Sequence, residues 1–167
     1  YGTNGIPIPD SKPYIVNMLD KDKITADVTK AKQLADMVIV LPHWGTEYVY
    51  TPDSNQNYWT QLFLSLGVDV VIGTHPHVLE PVEVVSDTKG HEMLVYYSLG
   101  NFVSNQDQKP RMIGGMAKMT LVKDETGCYV KNYNLTPVIT QKLFGKKAIT
   151  TYKLSDYTES LASGNAI

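Results

Sequence analysis

Two histidines flank a proline at His75-Pro76-His77, directly after the β-branched run Val68-Asp69-Val70-Val71-Ile72-Gly73-Thr74. Neutral imidazole is the commonest metal ligand, and imidazoles that face one way make a metal or phosphate site. On an extended backbone, side chains two apart share one side. Pro76 also biases His75 toward the extended region. The expected picture is a strand whose C-terminal tip projects both rings together.

The chain repeats this grammar once. Ala35-Asp36-Met37-Val38-Ile39-Val40-Leu41-Pro42-His43 is an Asp, an apolar run and then a histidine at the exit. Two such strands joined by a helical crossover would bring His43, His75 and His77 to one sheet edge. Open α/β sheets bind ligands at that edge. Three imidazoles would leave a coordination position open for water. Glu47 lies four residues past His43 and has several roles open to it: ligand, orienter of a histidine, base, or plain surface carboxylate. Trp44 either walls the site or packs the core, and Gly45 would allow close backbone approach. Asn101, after Gly100, either offers its amide to an anion or water or is a turn residue without a role. His91 falls in a turn-rich link and reads as exposed and uninvolved.

The elements that must hold these residues are legible from periodicity. Residues 15–19 read as a short strand. Asp22 followed by Ile24, Val28, Ala31 and Ala35 reads as an amphipathic helix with an acidic start. Strand 36–41 comes next. Trp59, Leu62, Phe63 and Leu66 place one apolar face on a helix over 56–66, begun at Pro52-Asp53-Ser54 and closed by Gly67. Strand 68–73 completes a parallel, right-handed βαβ unit. Both strands are nearly all apolar, which predicts cover on both sheet faces. Pro81–Val85 and Met93–Tyr97 then predict a hairpin, and residues 115–123 and 128–135 predict a second one around Asp124-Glu125-Thr126-Gly127. A last helix is expected over 155–162, with Ser155 as its cap. The fold class expected is α/β grading into α+β, with antiparallel hairpins after the parallel unit, in one domain.

Composition limits the function classes. The chain has 167 residues, enough for one domain with a real core. A net charge of −2 without a Lys/Arg cluster argues against nucleic acid as a partner. Lys146-Lys147 is the one late basic pair and reads as solvated surface. Eleven tyrosines against three phenylalanines suit contact with sugars or peptides, or simply wet strand surfaces. Cys128 is the single cysteine, so no internal disulfide forms and the redox compartment is not revealed. No apolar run approaches the length of a membrane span.

Four ordered elements carry a resemblance: Tyr1-Gly2-Thr3-Asn4-Gly5, His43-Trp44-Gly45-Thr46-Glu47, Gly73-Thr74-His75-Pro76-His77, and Tyr97-Ser98-Leu99-Gly100-Asn101-Phe102. Over about residues 1–140 the chain resembles the C-terminal half of the bacterial CapA family of capsule or poly-γ-glutamate biosynthesis proteins. That family is similar to the calcineurin-like metallophosphoesterases. The resemblance implies a sandwich of two mixed sheets flanked by helices and a two-metal centre to which His43, His75 and His77 contribute. The ions implied are divalent: manganese, zinc or iron. Thr74 stands where many relatives carry a further histidine. The family's Gly-Asp motif and Asn-Asn-His element do not occur here, so the chain is expected to be the C-terminal portion of a longer domain.

That resemblance also implies a place at the extracellular face of the membrane and partners of two kinds. One is the missing N-terminal half or another copy of the chain; the other is capsule-synthesis membrane proteins. Two functions are compatible with it. One is metal-dependent hydrolysis of a phosphate ester, with a histidine protonating the leaving group and Glu47 and Asn101 in support. The other is a non-catalytic accessory or scaffold module of a surface-polymer assembly complex.

Overall fold

The structure, a computed structural model, describes residues 2, 8–143 and 148–166. Lys146-Lys147 and most of the Tyr1–Gly5 element lie outside the described residues. Two sheets form. Strands β1 (Ile39–Val40), β2 (Val70–Ile72), β3 (Val82–Ser86) and β4 (Glu92–Tyr96) make a mixed sheet in the order β1-β2-β4-β3. Strands β5 (Ile113–Asp124), β6 (Gly127–Leu143) and β7 (Ala148–Lys153) make an antiparallel one. The class is α/β, as expected, although only one of the two sheets is mixed.

The βαβ unit has the parallel order read from the sequence, but its strands are shorter than the expected 36–41 and 68–73. β1 and β2 are adjacent and parallel, with Ile39 opposite Val70 and Val40 opposite Val71. Helix α2 (Ser54–Ser65) connects them. Its start is a capping box: the Asp53 carboxylate accepts from the Gln56 amide N–H while the Gln56 side chain accepts from the Asp53 N–H. Two of the orphan donors of the first turn are satisfied that way. The hairpin β3–β4 folds so that its second strand, β4, inserts beside β2 in parallel. The C-terminal ends of β1, β2 and β4 therefore lie on one edge.

Two cores flank the mixed sheet. On one face, Ile24 and Val28 of helix α1 (Lys21–Leu34) and Trp59 and Phe63 of α2 pack with Val40, Val71 and Val95. On the other, Val70, Leu94 and Tyr96 meet Ala117, Met119, Val130 and Leu135 of the antiparallel sheet. The layers run helix, sheet, sheet. Cover on both faces holds for β2, whose Val70 and Val71 are fully buried, but not for β1. Ile39 and Leu41 stay 39% and 65% exposed, because the second sheet packs over β2, β4 and β3 only.

Several boundaries differ from the sequence reading. Residues 15–19 form no strand; Met18 makes a single bridge, to Gly2. Helix α1 starts at Lys21, one residue before Asp22, because the Asp20 carboxylate caps it through the Lys23 N–H. β6 runs through Pro137 to Leu143 rather than stopping at 135. Pro137 is tolerated because β7 pairs only from Val138 onward, so its missing N–H falls on an open edge. The expected helix over 155–162 is instead a 3-10 turn at Leu154–Asp156 and a short helix α3 (Glu159–Ser163) capped by Thr158. The Ser155 hydroxyl donates to Asp156 and caps nothing.

Candidate metal centre

His43, His75 and His77 all lie at the carboxyl edge of the mixed sheet, on the loops that leave β1 and β2. Those two loops are stitched together by backbone bonds. The Thr74 N–H reaches the Pro42 carbonyl at 3.0 Å, the Trp44 N–H reaches the Thr74 carbonyl at 3.0 Å, and the Tyr48 N–H reaches the Pro76 carbonyl at 2.7 Å.

The rings do not converge by the route the sequence suggested. β2 ends at Ile72, and the His-Pro-His segment is not extended. His75 has φ +111° and His77 has φ +61°. Tyr48, facing them from the other loop, has φ +67°. Side chains rarely accept this region, and each such residue stores strain on the order of 1–3 kcal/mol. Three of them within two adjoining loops mark a site whose geometry is imposed by its surroundings.

The structure brings together Glu47, His75 and His77, one donor atom from each lying within 4.8 Å of the others. The Glu47 carboxylate approaches His77 Nε2 at 3.9 Å. His43 meets this group through His75: its Nε2 lies 3.0 Å from His75 Nδ1. Two nitrogens bound to one ion at about 2.0–2.1 Å sit roughly 2.9 Å apart at a right angle and roughly 3.4 Å apart in a tetrahedron. The His43–His75 spacing fits either a hydrogen bond or a shared ion. Donors on one ion are at most about 4.2 Å apart, so side-chain adjustments under about 1 Å would close the Glu47 group. Imidazole and carboxylate donors with a graded separation suit zinc, manganese or iron.

Three side chains orient these donors. Asn101, only 8% exposed, holds its Oδ1 2.8 Å from His77 Nδ1. Its Nδ2 donates to the Arg111 carbonyl at 2.8 Å and more weakly to the His77 carbonyl at 3.4 Å. Those two acceptors fix the amide with oxygen toward the ring, so His77 donates from Nδ1 and turns the Nε2 lone pair toward Glu47. The Asn101 amide is thus committed to protein carbonyls rather than offered to an anion. Thr74 spans His43 Nδ1 at 3.2 Å and the Pro42 carbonyl at 3.3 Å, so it orients His43 despite not being a histidine. Tyr48 stacks on His77, centroids 5.9 Å apart and planes at 26°.

Burial is the main cause of a lowered His43 pKa, with the charges of His75 and His77 acting in the same sense. Burial also lowers His75, against an opposing pull from Glu47. Both rings are therefore held in the neutral form that ligates metal or accepts a proton. Trp44 proves to be core: it is fully buried, and its Nε1 donates to the Tyr97 carbonyl at 2.9 Å. His91 sits at the opposite end of the sheet and is half-buried rather than exposed, its Nε2 2.8 Å from the Val68 carbonyl. There it lines a cleft of about 380 Å³ with Asp69 and Cys128.

A polar chain that runs from exposed Thr46 to buried Gln56 and Glu80 braces the Glu47 loop. The Thr46 hydroxyl donates to the Asp53 carboxylate, Asp53 and Gln56 form the capping box, and Gln56 Nε2 donates to Glu80 Oε2 at 2.6 Å. Gly45, at φ +85°, lies flat against the Gln56 amide, where a Cβ would collide with it. The glycine thus serves approach to a protein amide rather than to a ligand. Glu80 is buried and its Oε1 has no hydrogen-bond partner. Burial raises its pKa to about 7, against the Gln56 bond and with help from the Asp53 charge. Between its unfolded value and about 7 the folded chain holds a proton that the unfolded chain has lost. Stability therefore falls as pH rises through that window and is flat above it. Glu80→Gln mimics the neutral acid. It is expected to leave the melting point unchanged at pH 5 and to raise stability at pH 8 by at most about 3 kcal/mol, read by thermal melts at both pH values.

An α/β sheet with histidines and a carboxylate at its carboxyl edge defines a candidate metal-binding domain. The family of bacterial capsule synthesis proteins, PGA_cap, matches residues 2–106, and the chain belongs to that family. It is 36% identical over 111 residues to the PGA biosynthesis protein CapA of Bacillus subtilis (strain 168), covering 66% of this chain and 27% of that protein. It is 35% identical over 92 residues to the capsule biosynthesis protein CapA of Bacillus anthracis, covering 53% and 21%. The chain spans about a quarter of the length of these relatives. Every candidate ligand, and Asn101, falls inside the matched region; the antiparallel sheet lies beyond it.

Sequence reading missed Tyr48, Thr74 as an orienting hydroxyl, and Arg111. Thr74 was legible as the neighbour of His75. Nothing in the spacing pointed to Tyr48, whose role depends on an uncommon backbone conformation.

Proposed function

We propose that Glu47, His75 and His77, with His43 beside them, hold a divalent metal ion and that the domain serves a metal-dependent, phosphoesterase-like hydrolase acting in capsule or poly-γ-glutamate biosynthesis. The observation that carries this reading is the convergence of three donor side chains on strained loops at the carboxyl edge of the sheet. When bound, such an ion supplies Lewis acidity toward a phosphoryl oxygen and lowers the pKa of water. The chain's own residues supply the rest. Asn101 sets the His77 tautomer, and Thr74 orients His43, whose ring is kept neutral by burial and so available as a ligand.

Among the described residues only this one donor group occurs, and it has a single carboxylate. A two-metal centre needs bridging carboxylate ligation, so further ligands would come from the remainder of a longer domain or from a partner. A cell-surface location fits the capsule-related names of the relatives. Among the described residues no helix is long and apolar enough to cross a membrane. Capsule-synthesis membrane proteins are the partners this reading expects, and a basic nucleic-acid footprint is not part of it.

The test is hydrolysis of a generic phosphomonoester by this chain with added manganese or zinc, with His75→Ala as control. The single-carboxylate group predicts weak metal binding and no turnover from the 167 residues alone. Turnover that disappears in His75→Ala would show the group to be sufficient. Neither metal binding nor turnover, even in a full-length relative, would favour the scaffold reading.

A further inference from the structure

Arg111 lies beyond the family match, in the 3-10 turn Lys109–Met112, yet both its main chain and its side chain are tied to the candidate centre. Its carbonyl accepts from Asn101 Nδ2, the same amide that orients His77. Its guanidinium carbon sits 3.4 Å from the centroid of the Tyr48 ring, and that ring also stacks on His77. Tyr48 in turn is fixed by its N–H bond to the Pro76 carbonyl, between the two histidines.

Stacking on an aromatic face uses the π surface of a guanidinium and leaves its N–H donors pointing outward in the plane. Among the described residues those donors have no protein acceptor. Among them the Arg111 side chain makes no hydrogen bond or ion pair, and the carboxylate contacts with basic side chains near 4 Å or less are Glu47 with His77 and Asp36 with Lys123. Glu47 directs its carboxylate to His77 even though it is the chain neighbour of Tyr48. A half-buried cation, immobilised on an aromatic ring and left unpaired beside an open donor cluster, is built to receive an anion from outside the chain.

We propose that Arg111 is the anion-binding residue of this centre and engages an oxyanion of the substrate through a bidentate pair of N–H bonds. The inference rests on the metal-centre reading for what lies next to it, not for the anion site itself. Two sources share the chemistry: the phosphoryl oxygens of a phosphate ester and the free carboxylate of a γ-linked glutamate unit. Both present two coplanar acceptors to a guanidinium fork.

The experiment titrates the full chain, its Arg111→Lys variant and its Arg111→Gln variant with inorganic phosphate, with tetra-γ-glutamate and with Mn²⁺, by calorimetry. The expected result is about a tenfold or greater loss of affinity for one anion in Arg111→Gln, as a charge-assisted bidentate contact is worth. Arg111→Lys should recover only part of it, because the ammonium keeps the charge without the fork. Mn²⁺ affinity should stay within about twofold, since no metal donor is altered. Loss confined to phosphate identifies the phosphoryl source, and loss confined to tetra-γ-glutamate the carboxylate source. Equal affinities in all three proteins, or no anion binding by the parent chain, would overturn the proposal. No Mn²⁺ binding by the parent, with anion affinity still lost in Arg111→Gln, would sink the metal reading and leave the anion site standing. Arg111→Gln retains the carbonyl that holds Asn101, and a thermal melt checks its fold. If it melts below the titration temperature, Arg111→Lys decides alone, with full affinity for both anions as the contradicting result.

Discussion

Gly73→Ala is expected to destabilise the domain by about 4 kcal/mol or more. A Cβ at Gly73 would overlap both the Tyr97 carbonyl oxygen and Trp44 Nε1. Those two atoms are bonded to each other across the core at 2.9 Å. The methyl must part them. A buried indole N–H and a buried carbonyl are then left unsatisfied at about 1–3 kcal/mol each, on top of overpacking of similar size. Backbone retreat is blocked as well, because the Gly73 N–H is bound to the Tyr96 carbonyl at 2.7 Å and its carbonyl to the Leu99 N–H at 3.2 Å. Chemical denaturation reads the effect. A midpoint equal to that of the parent would mean that the glycine is not the packing keystone between β2 and the histidine loop.

His75→Gly is expected to separate binding from stability. His75 is a member of the donor group and touches His43, so its removal should weaken Mn²⁺ or Zn²⁺ binding by about 100-fold or more. Its backbone sits at φ +111°, which glycine adopts without the penalty a side chain incurs. Stability should therefore rise by about 1 kcal/mol, the net of released strain over added chain entropy. Opposite signs in metal titration and thermal melting are the signature of strain held for function. A variant that loses stability while keeping its metal affinity would contradict both halves.

Much of the scaffold could be read from residue pattern because local rules and tertiary packing agree there. Asp53 and Gln56 announce the start of α2, and the i, i+3, i+4 spacing of Trp59, Leu62 and Phe63 gives its buried face. The parallel pairing of β1 and β2 follows from a short crossover between two apolar runs. Where the structure departs from that reading, a competing partner decides the outcome, in one case a distant strand and in the other the next residue. Pro137 ends a strand in a local view, but the limited reach of β7 lets β6 continue past it. Ser155 is a good cap in isolation, yet its hydroxyl goes to Asp156 and Thr158 caps the helix. His75 and His77 come together by a route other than the one their spacing predicts. Alternation along an extended strand predicts that His75 and His77 share a side, whereas positive φ at both, imposed by the bonds to Pro42 and Pro76, is what turns them inward. Glu47 could be named but not ranked, since nothing in the spacing brings its carboxylate within reach of both His75 and His77.

Crystals of the chain equilibrated with Zn²⁺ and measured across the zinc absorption edge test the metal centre most directly. An anomalous peak is expected at the carboxyl edge of the mixed sheet, within about 2.3 Å of a ring nitrogen of His75, a ring nitrogen of His77 and a carboxylate oxygen of Glu47. No peak there at saturating zinc, or one found instead in the cleft of Asp69, His91 and Cys128, would contradict it.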